Sequence, residues 1–239
     1  MKEIISELEP YLVGYAIGIR FRPNFFIEDQ IGRIVDDILY GKGSTFDYKF
    51  FPEAAAGIGG KILIDKVRGN SLTIDNSNFI VDLNMADNVV ELGVDNLTNA
   101  FDEEIIQGIM RRYRVKEIAR IGLVRRYIFD VEQLANSFVA KTIGAGMEKV
   151  EDIDLKFSKR QPTSAGMSQR DVFDYDNIIF NVIKQAGKRE IFVSVDYQRI
   201  YSPLLSSVSD INYTSFLLGA LAYNKNSFLP WLESKYLSL

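Results

Sequence analysis

The chain of 239 residues contains no cysteine and no histidine. Without cysteine there is no disulfide framework, no thiolate nucleophile and no cysteine-ligated zinc. Without histidine the usual serine triads and two-histidine metal centres are lost, together with the side chain best suited to proton transfer near neutral pH. Any catalyst here would have to work with Asp, Glu, Lys, Arg, Tyr or Ser. Long apolar runs are also missing. The longest, Tyr11 to Ile19, has nine residues and two glycines, against the roughly 20 needed to span a bilayer. The first ten residues are polar and acidic and do not resemble a secretory signal. A cytoplasmic location without membrane association is therefore expected.

What is present describes a globular chain. Hydrophobic residues make up 47% and charged residues 25%, which allows a real core, and a chain of this size buries roughly 70 to 75% of its unfolded surface. The 16 Phe and 12 Tyr favour sheet-rich structure. The net charge of -4 hides an uneven distribution. Between Arg111 and Arg126 stand seven basic residues (Arg111, Arg112, Arg114, Lys116, Arg120, Arg125, Arg126) and one acid, Glu117, a local net of +6 that leaves -10 on the rest. A basic segment in an acidic chain is a candidate contact site for phosphate or for an acidic partner. The plain structural alternative is a set of solvated or ion-paired surface charges.

Hydrophobic periodicity sets the expected elements. Tyr11 to Arg22 alternates with period two: Tyr15, Ile17, Ile19 and Phe21 share one face, and Gly14, Ala16, Gly18, Arg20 and Arg22 the other. Small residues on that second face would let a helix or another backbone come close. Ile27, Ile31, Ile34, Val35, Ile38 and Leu39 recur at helical spacing after Pro23-Asn24. Four short strands follow, at Tyr48 to Phe51, Lys61 to Val67, Ser71 to Ile74 and Asn78 to Leu83, with Gly69-Asn70 as a two-residue hairpin signal. A helix over Leu97 to Tyr113 carries acids in its first turns and arginines at its end, as the helix dipole favours. A strand over Ile118 to Phe129 and a short helix over Val131 to Thr142 complete the first part.

The second part has an amphipathic strand starting at Ile153, a long loop over Ser158 to Arg170, and a hairpin of Val172 to Ile183 with Glu190 to Arg199 turning at Ala186-Gly187. An aromatic helix over Asn212 to Leu237 follows, with a break expected at Pro230. The fold class is therefore α+β, antiparallel sheets with interspersed helices in two intimately packed halves. The division falls at 1–144, a β-α-meander-α-β half, and 145–239, a three-strand meander plus helix.

Three constellations could carry function. The first is the basic surface: Arg111, Arg112, Arg114, Arg120, Arg125 and Arg126, enlarged by Arg20 and Arg22 if the first strand lies beside the strand at 118–129. Its arginines point to alternating faces, and only Tyr113 and Tyr127 are placed to stack bases, which weakens a nucleic-acid platform. The second is the acidic set Asp154, Asp174, Asp176 and Asp196, whose carboxylates could hold Mg or Ca if they converged, with Asp196 expected opposite Asn177. Asp130 with Asp154-Leu155-Lys156 loosely imitates a metal-dependent nuclease. Alternating aspartates are also what a solvated strand face looks like. The segment Ala54 to Lys61 lacks the leading Gly and the Ser/Thr of a phosphate loop and is rejected as one. The third is the aromatic set Phe228, Trp231 and Tyr236, core residues by their helical spacing or, if they protrude, an oligomer or partner interface.

Ala119-Arg120-Ile121-Gly122-Leu123-Val124-Arg125-Arg126-Tyr127-Ile128 after a long helix, the strand Ile191 to Tyr197, and the closing helix with Trp231-Leu232 together resemble a sporadically distributed family of uncharacterised bacterial proteins of about this length. The resemblance spans most of the chain from Tyr11. It implies a prokaryotic, cytosolic origin, in variable gene neighbourhoods such as mobile or defence loci, and brings no activity with it. The first expectation for function is a non-enzymatic protein whose basic surface contacts an acidic protein partner or a nucleic acid, with no cofactor. The competing expectations are a Mg-dependent phosphodiesterase or nuclease and a structural homo-oligomeric subunit.

Overall fold

A computed structural model describes residues 11–46, 49–57, 60–84, 98–130, 152–163, 173–188 and 190–236. Nine strands form one antiparallel sheet, and the class is α+β with the sheet predominant. The strands are β1 (Leu12–Phe21), β2 (Glu53–Gly57), β3 (Gly60–Asp65), β4 (Asn70–Asp75), β5 (Asn78–Asn84), β6 (Ile118–Asp130), β7 (Ile153–Pro162), β8 (Tyr175–Lys184) and β9 (Glu190–Leu205). Their spatial order is β2-β3-β4-β5-β1-β6-β9-β8-β7. Two meanders, β2 to β5 and β7 to β9, thus flank the central pair β1 and β6. The expectation of two packed halves meets one sheet, hydrogen-bonded straight across the division at 144/145. There β6 pairs with β9 from Ile118↔Leu205 to Asp130↔Glu190.

Local chemistry explains most boundaries. The helix α1 (Phe25–Leu39) begins where the Asn24 side chain accepts the backbone N–H of Phe26 at 3.0 Å, a strong N-cap arrangement. Ile27, Ile31, Ile34 and Ile38 then face the sheet. The first meander strand lies after Pro52, not before it, because proline cannot donate to a ladder and sits best at a strand's start. The β3–β4 connection is a four-residue turn, not a two-residue one. Asp65 Oδ1 accepts the N–H groups of Val67 and Arg68, and Gly69 closes the turn at φ 75°. Asp75 caps the β4–β5 turn in the same way, accepting from Ser77 N.

The helix α2 (Phe101–Met110, continued by helical residues on either side) bonds i→i−5, as in Arg111 N–H to Ile106 O. The strand β7 runs through Pro162, so the first residues of the expected loop are strand. Lys159 lies over the Tyr223 ring and Arg160 over the Tyr175 ring, which gives this polar edge strand its anchors. The β8–β9 register pairs Asp196 with Ile179 and Asn177 with Gln198. That is two residues from the expected pairing, because the last pair before the connection is Lys184↔Ile191 and not one that closes on Ala186-Gly187. The aromatic helix continues past Pro230: α3 (Tyr213–Tyr223) leads through an i→i−5 bonded stretch, Asn224–Phe228, into α4 (Leu229–Tyr236). Widening the turn ahead of a proline relieves the clash of its ring with the preceding carbonyls. The expected helix at 131–142 and residues 164–170 of the expected loop lie outside the described residues, as do the side chains of Asp130 and Tyr236.

The described helices share one face of the sheet. Below them a single core joins Tyr15, Ile17, Ile19, Phe79, Val81, Ile121, Leu123, Tyr127, Val193 and Val195 to the isoleucines of α1 and α2. Phe228, fully buried, packs against Tyr127, Phe180 and Trp231. It belongs to this core, the first of the two readings of the aromatic set, and does not protrude as an interface residue would; Trp231 is half-buried against Phe180. Within the core lies one ion pair, Asp176 with Arg199, their side chains 1% and 4% exposed. Arg199 Nε donates to Asp176 Oδ1 at 2.9 Å, and Tyr197 Oη donates to Asp176 Oδ2 at 2.5 Å. Burial, together with the neighbouring carboxylate, pushes the Tyr197 hydroxyl well above its ordinary range, so it stays a donor. Asp176→Ala strands the Arg199 charge in this apolar setting and is expected to cost about 3 to 5 kcal/mol. The double variant Asp176→Leu/Arg199→Met is expected to cost markedly less, as read from urea midpoints.

Candidate anion-binding groove on the central sheet

The second face of the four central strands is organised in cross-strand rows. Arg20 of β1 lies between Asn78 of β5 and Arg120 of β6. The next row is Ile80, Gly18, Gly122 and Gln198; the next, Asp82, Ala16, Val124 and Asp196; the last, Asn84, Gly14, Arg126 and Ser194. Gly18 and Gly122 are neighbours, so the middle of this face is bare backbone. The missing side chains leave a concavity of about 100 Å³, lined among others by Arg20, Asn78, Ile80, Arg120, Asp196 and Gln198.

The glycines are occupied in a way the sequence did not indicate. A Cβ on Gly14 would sit 2.3 Å from Arg126 Nε, and one on Gly18 would sit 2.9 Å from Ile80 Cγ1. At Gly14 an arginine side chain uses the space; at Gly18 the Ile80 side chain shares it with the β5 backbone, Phe79 O lying 3.1 Å from where the Cβ would be. Arg126 crosses over Gly14 to pair with Asp82 on the far strand, its Nη1 at 3.0 Å from Asp82 Oδ2. On the opposite wall, Asn177 Nδ2 donates to Gln198 Oε1 at 3.2 Å, and Gln198 Nε2 donates to Asp196 Oδ2 at 2.5 Å. This chain of amides holds the Asp196 carboxyl beside Gly122. Burial raises the pKa of Asp196; the Gln198 hydrogen bond and the charges of Arg120 and Lys156 oppose the rise without cancelling it.

The structure divides the eight arginines expected to act together. Arg20 and Arg120 stand side by side at the mouth of the groove, and neither forms an ion pair or side-chain hydrogen bond among the described residues. Arg22 pairs with Glu117 at 3.0 Å and Arg112 with Asp37 at 2.8 Å. Arg112 lies at a second concavity, between α1 and α2, where Asp37 also accepts from Tyr113 Oη and Glu104 accepts from Ser44 Oγ and Thr45 N. Arg111 and Arg114 are exposed at the end of α2. Arg125 points to the other side of the sheet and is buried. The basic run is not one patch because Arg114 and Glu117 take left-handed conformations, φ 53° and 54°, that turn the chain from helix into strand, after which alternation separates the rest.

The aspartates are not brought together either. Asp176 lies on the helix-covered face in its ion pair with Arg199, while Asp196 lines the groove on the opposite face. Asp174 accepts the backbone N–H of Ser202 at 2.8 Å. Asp154 is exposed on the edge strand β7, level with Ile183, whereas Asp196 is level with Ile179. No group of three acidic residues that could hold a metal ion occurs among the described residues. No described helix is long and apolar enough to cross a membrane. Gln198, Asn78, Ile80 and Asp82 were not singled out in the sequence; the only signal for them was the small-residue face of β1 that they surround. No protein-family model and no curated protein matches the chain.

Because its folded pKa is raised, Asp196 binds its proton more tightly in the folded than in the unfolded chain. Its contribution to stability therefore falls as the pH rises from the ordinary carboxylate range through its folded pKa. Asp196→Asn is expected to melt above the wild type at pH 7, with the gap closing as the pH falls below about 4. Thermal melts across that range check the sign.

Proposed function

We propose that this chain is a binding protein, not a catalyst, and that the central groove receives an acidic group of a protein partner between Arg20 and Arg120. One observation carries the reading. Two arginines occupy directly opposite positions on β1 and β6, a placement that costs stability by itself, and neither forms an ion pair among the described residues, the Asp196 carboxyl acting on Arg120 only from a distance. Next to them Gly122, with no atom closer than 3.6 Å to the place of a Cβ, lets a ligand approach backbone level. Two parallel arginines suit a carboxylate, which accepts two N–H donors at once. Asp196 lines the same groove and would repel an extended polyanion, so the geometry favours a local acidic side chain over a nucleic-acid backbone. Exposed Arg111 and Arg114 form a separate basic area at the end of α2.

Fluorescence anisotropy with a labelled oligoglutamate peptide, and with single- and double-stranded oligonucleotides, tests this reading. The peptide is expected to bind with an affinity that falls as salt rises, and Arg20→Ala/Arg120→Ala is expected to weaken it at least about tenfold, the loss of one good charge-assisted contact. Peptide binding that ignores both arginines overturns the reading. Tighter, steeply salt-dependent nucleic-acid binding that requires the pair would transfer the groove to that class of ligand.

A further inference from the structure

Building on the reading of Arg20 and Arg120 as an anion receptor, we infer that the groove takes a dipolar peptide segment of the partner: an acidic residue at the two arginines and, four residues along the same extended chain, a lysine or arginine at Asp196. The groove runs along the strands for three rows, from Arg20 and Arg120 at the mouth, past Gly122 and Gln198, to Val124 and Asp196. Cations therefore mark one end of a single concavity and a carboxylate marks the other. The bare backbone of Gly122 lies between them.

The two poles do not satisfy each other. Arg20 and Arg120 form no ion pair among the described residues, and the side-chain donor to the Asp196 carboxyl is the neutral Gln198 Nε2, at 2.5 Å. Arg120 of β6 and Lys156 of β7 act on that carboxyl from a distance and do not offset its burial, so its pKa stays raised. Arg126, one row further along β6, is taken up by Asp82. On this face β8 offers only Asn177, Ile179 and Asn181 around Asp196, and β1 offers Ala16. A carboxylate partly withdrawn from water without a cation beside it is a costly group. A cation carried by the ligand would stabilise it.

The spacing of the poles defines the ligand. Arg120 and Val124, which faces Asp196 across the β6–β9 pair, are four residues apart, about 13 Å of extended chain. An extended peptide laid along the strands turns residues i, i+2 and i+4 to one side. With an acid at the arginines, residue i+2 lies over Gly122, where no atom comes closer than 3.6 Å to the place of a Cβ, and residue i+4 reaches Asp196. A second acid at i+4 would meet a like charge there, which makes Asp196 the residue that sets specificity.

Fluorescence anisotropy of the full chain with labelled Gly-Ser peptides, carrying Glu at i and either Lys or Gln at i+4, tests this. The wild type is expected to bind the lysine peptide at least about threefold more tightly than the glutamine peptide, the effect of one partly shielded ion pair. Asp196→Asn is expected to bind the two peptides equally, with Arg20→Ala/Arg120→Ala still weakening both. Equal wild-type affinity for the two peptides, or a lysine preference that survives in Asp196→Asn, overturns the inference while the arginine dependence of both peptides leaves the anion receptor standing. Binding of neither peptide, or binding that ignores the arginines, overturns the anion receptor and this inference with it.

Discussion

The ion pair between Asp176 and Arg199 is the interaction on which the architecture of the second half of the sheet depends. Both side chains are almost completely removed from water, so each is tolerable only while the other is in place. Asp176 sits on β8 and Arg199 directly opposite on β9, and Tyr197 and Ser215 complete the hydrogen bonding. The helix α3 approaches closely enough over this network that a Cβ on Gly219 would lie 3.1 Å from Tyr197 Oη. Register, strand order and helix position are thus tied to a single pair of charges. A slip of one residue would turn both charges to the other face of the sheet.

That pair also explains why the two faces differ in character. With Asp176 and Arg199 turned inward under α3, the alternate residues Asn177, Gln198 and Asp196 turn outward, where they form the amide-held wall of the groove. The central strands contribute glycine and alanine on the same side, and Arg126 spans β1 to reach Asp82. Helix-covered and groove-bearing faces are therefore two consequences of one register. Arg125 is the exception, a cation on the covered face with no acidic partner among the described residues.

Much of the secondary structure was legible in the sequence because it depends on near neighbours. The alternation of Tyr15, Ile17, Ile19 and Phe21 and the helical spacing of Ile27, Ile31, Ile34 and Ile38 were readable from period alone, whereas the placement of Arg20 beside Arg120 needed the strand order. Less local features were missed. The two-residue shift in the β8–β9 register depends on where the hairpin's last pair, Lys184↔Ile191, falls, and the strand at Ser158 to Pro162 depends on Tyr223 and Tyr175, which no local pattern brings near Lys159 and Arg160. The acidic set looked like one cluster because sequence distance does not say on which side of a sheet two aspartates lie.

By itself, the sequence determined the class of the fold, the alternation that divides each strand into two faces, and the absence of imidazole and thiol chemistry, because these follow from composition and from steric rules acting over a few residues. Only the tertiary structure decided which charges meet. Whether an arginine finds a carboxylate, as Arg126 and Arg199 do, or none, as Arg20, Arg120 and Arg125 do among the described residues, depends on strands distant in sequence being laid side by side. Electrostatic energy depends on separation in space and on exclusion of water, and neither quantity is written along the chain.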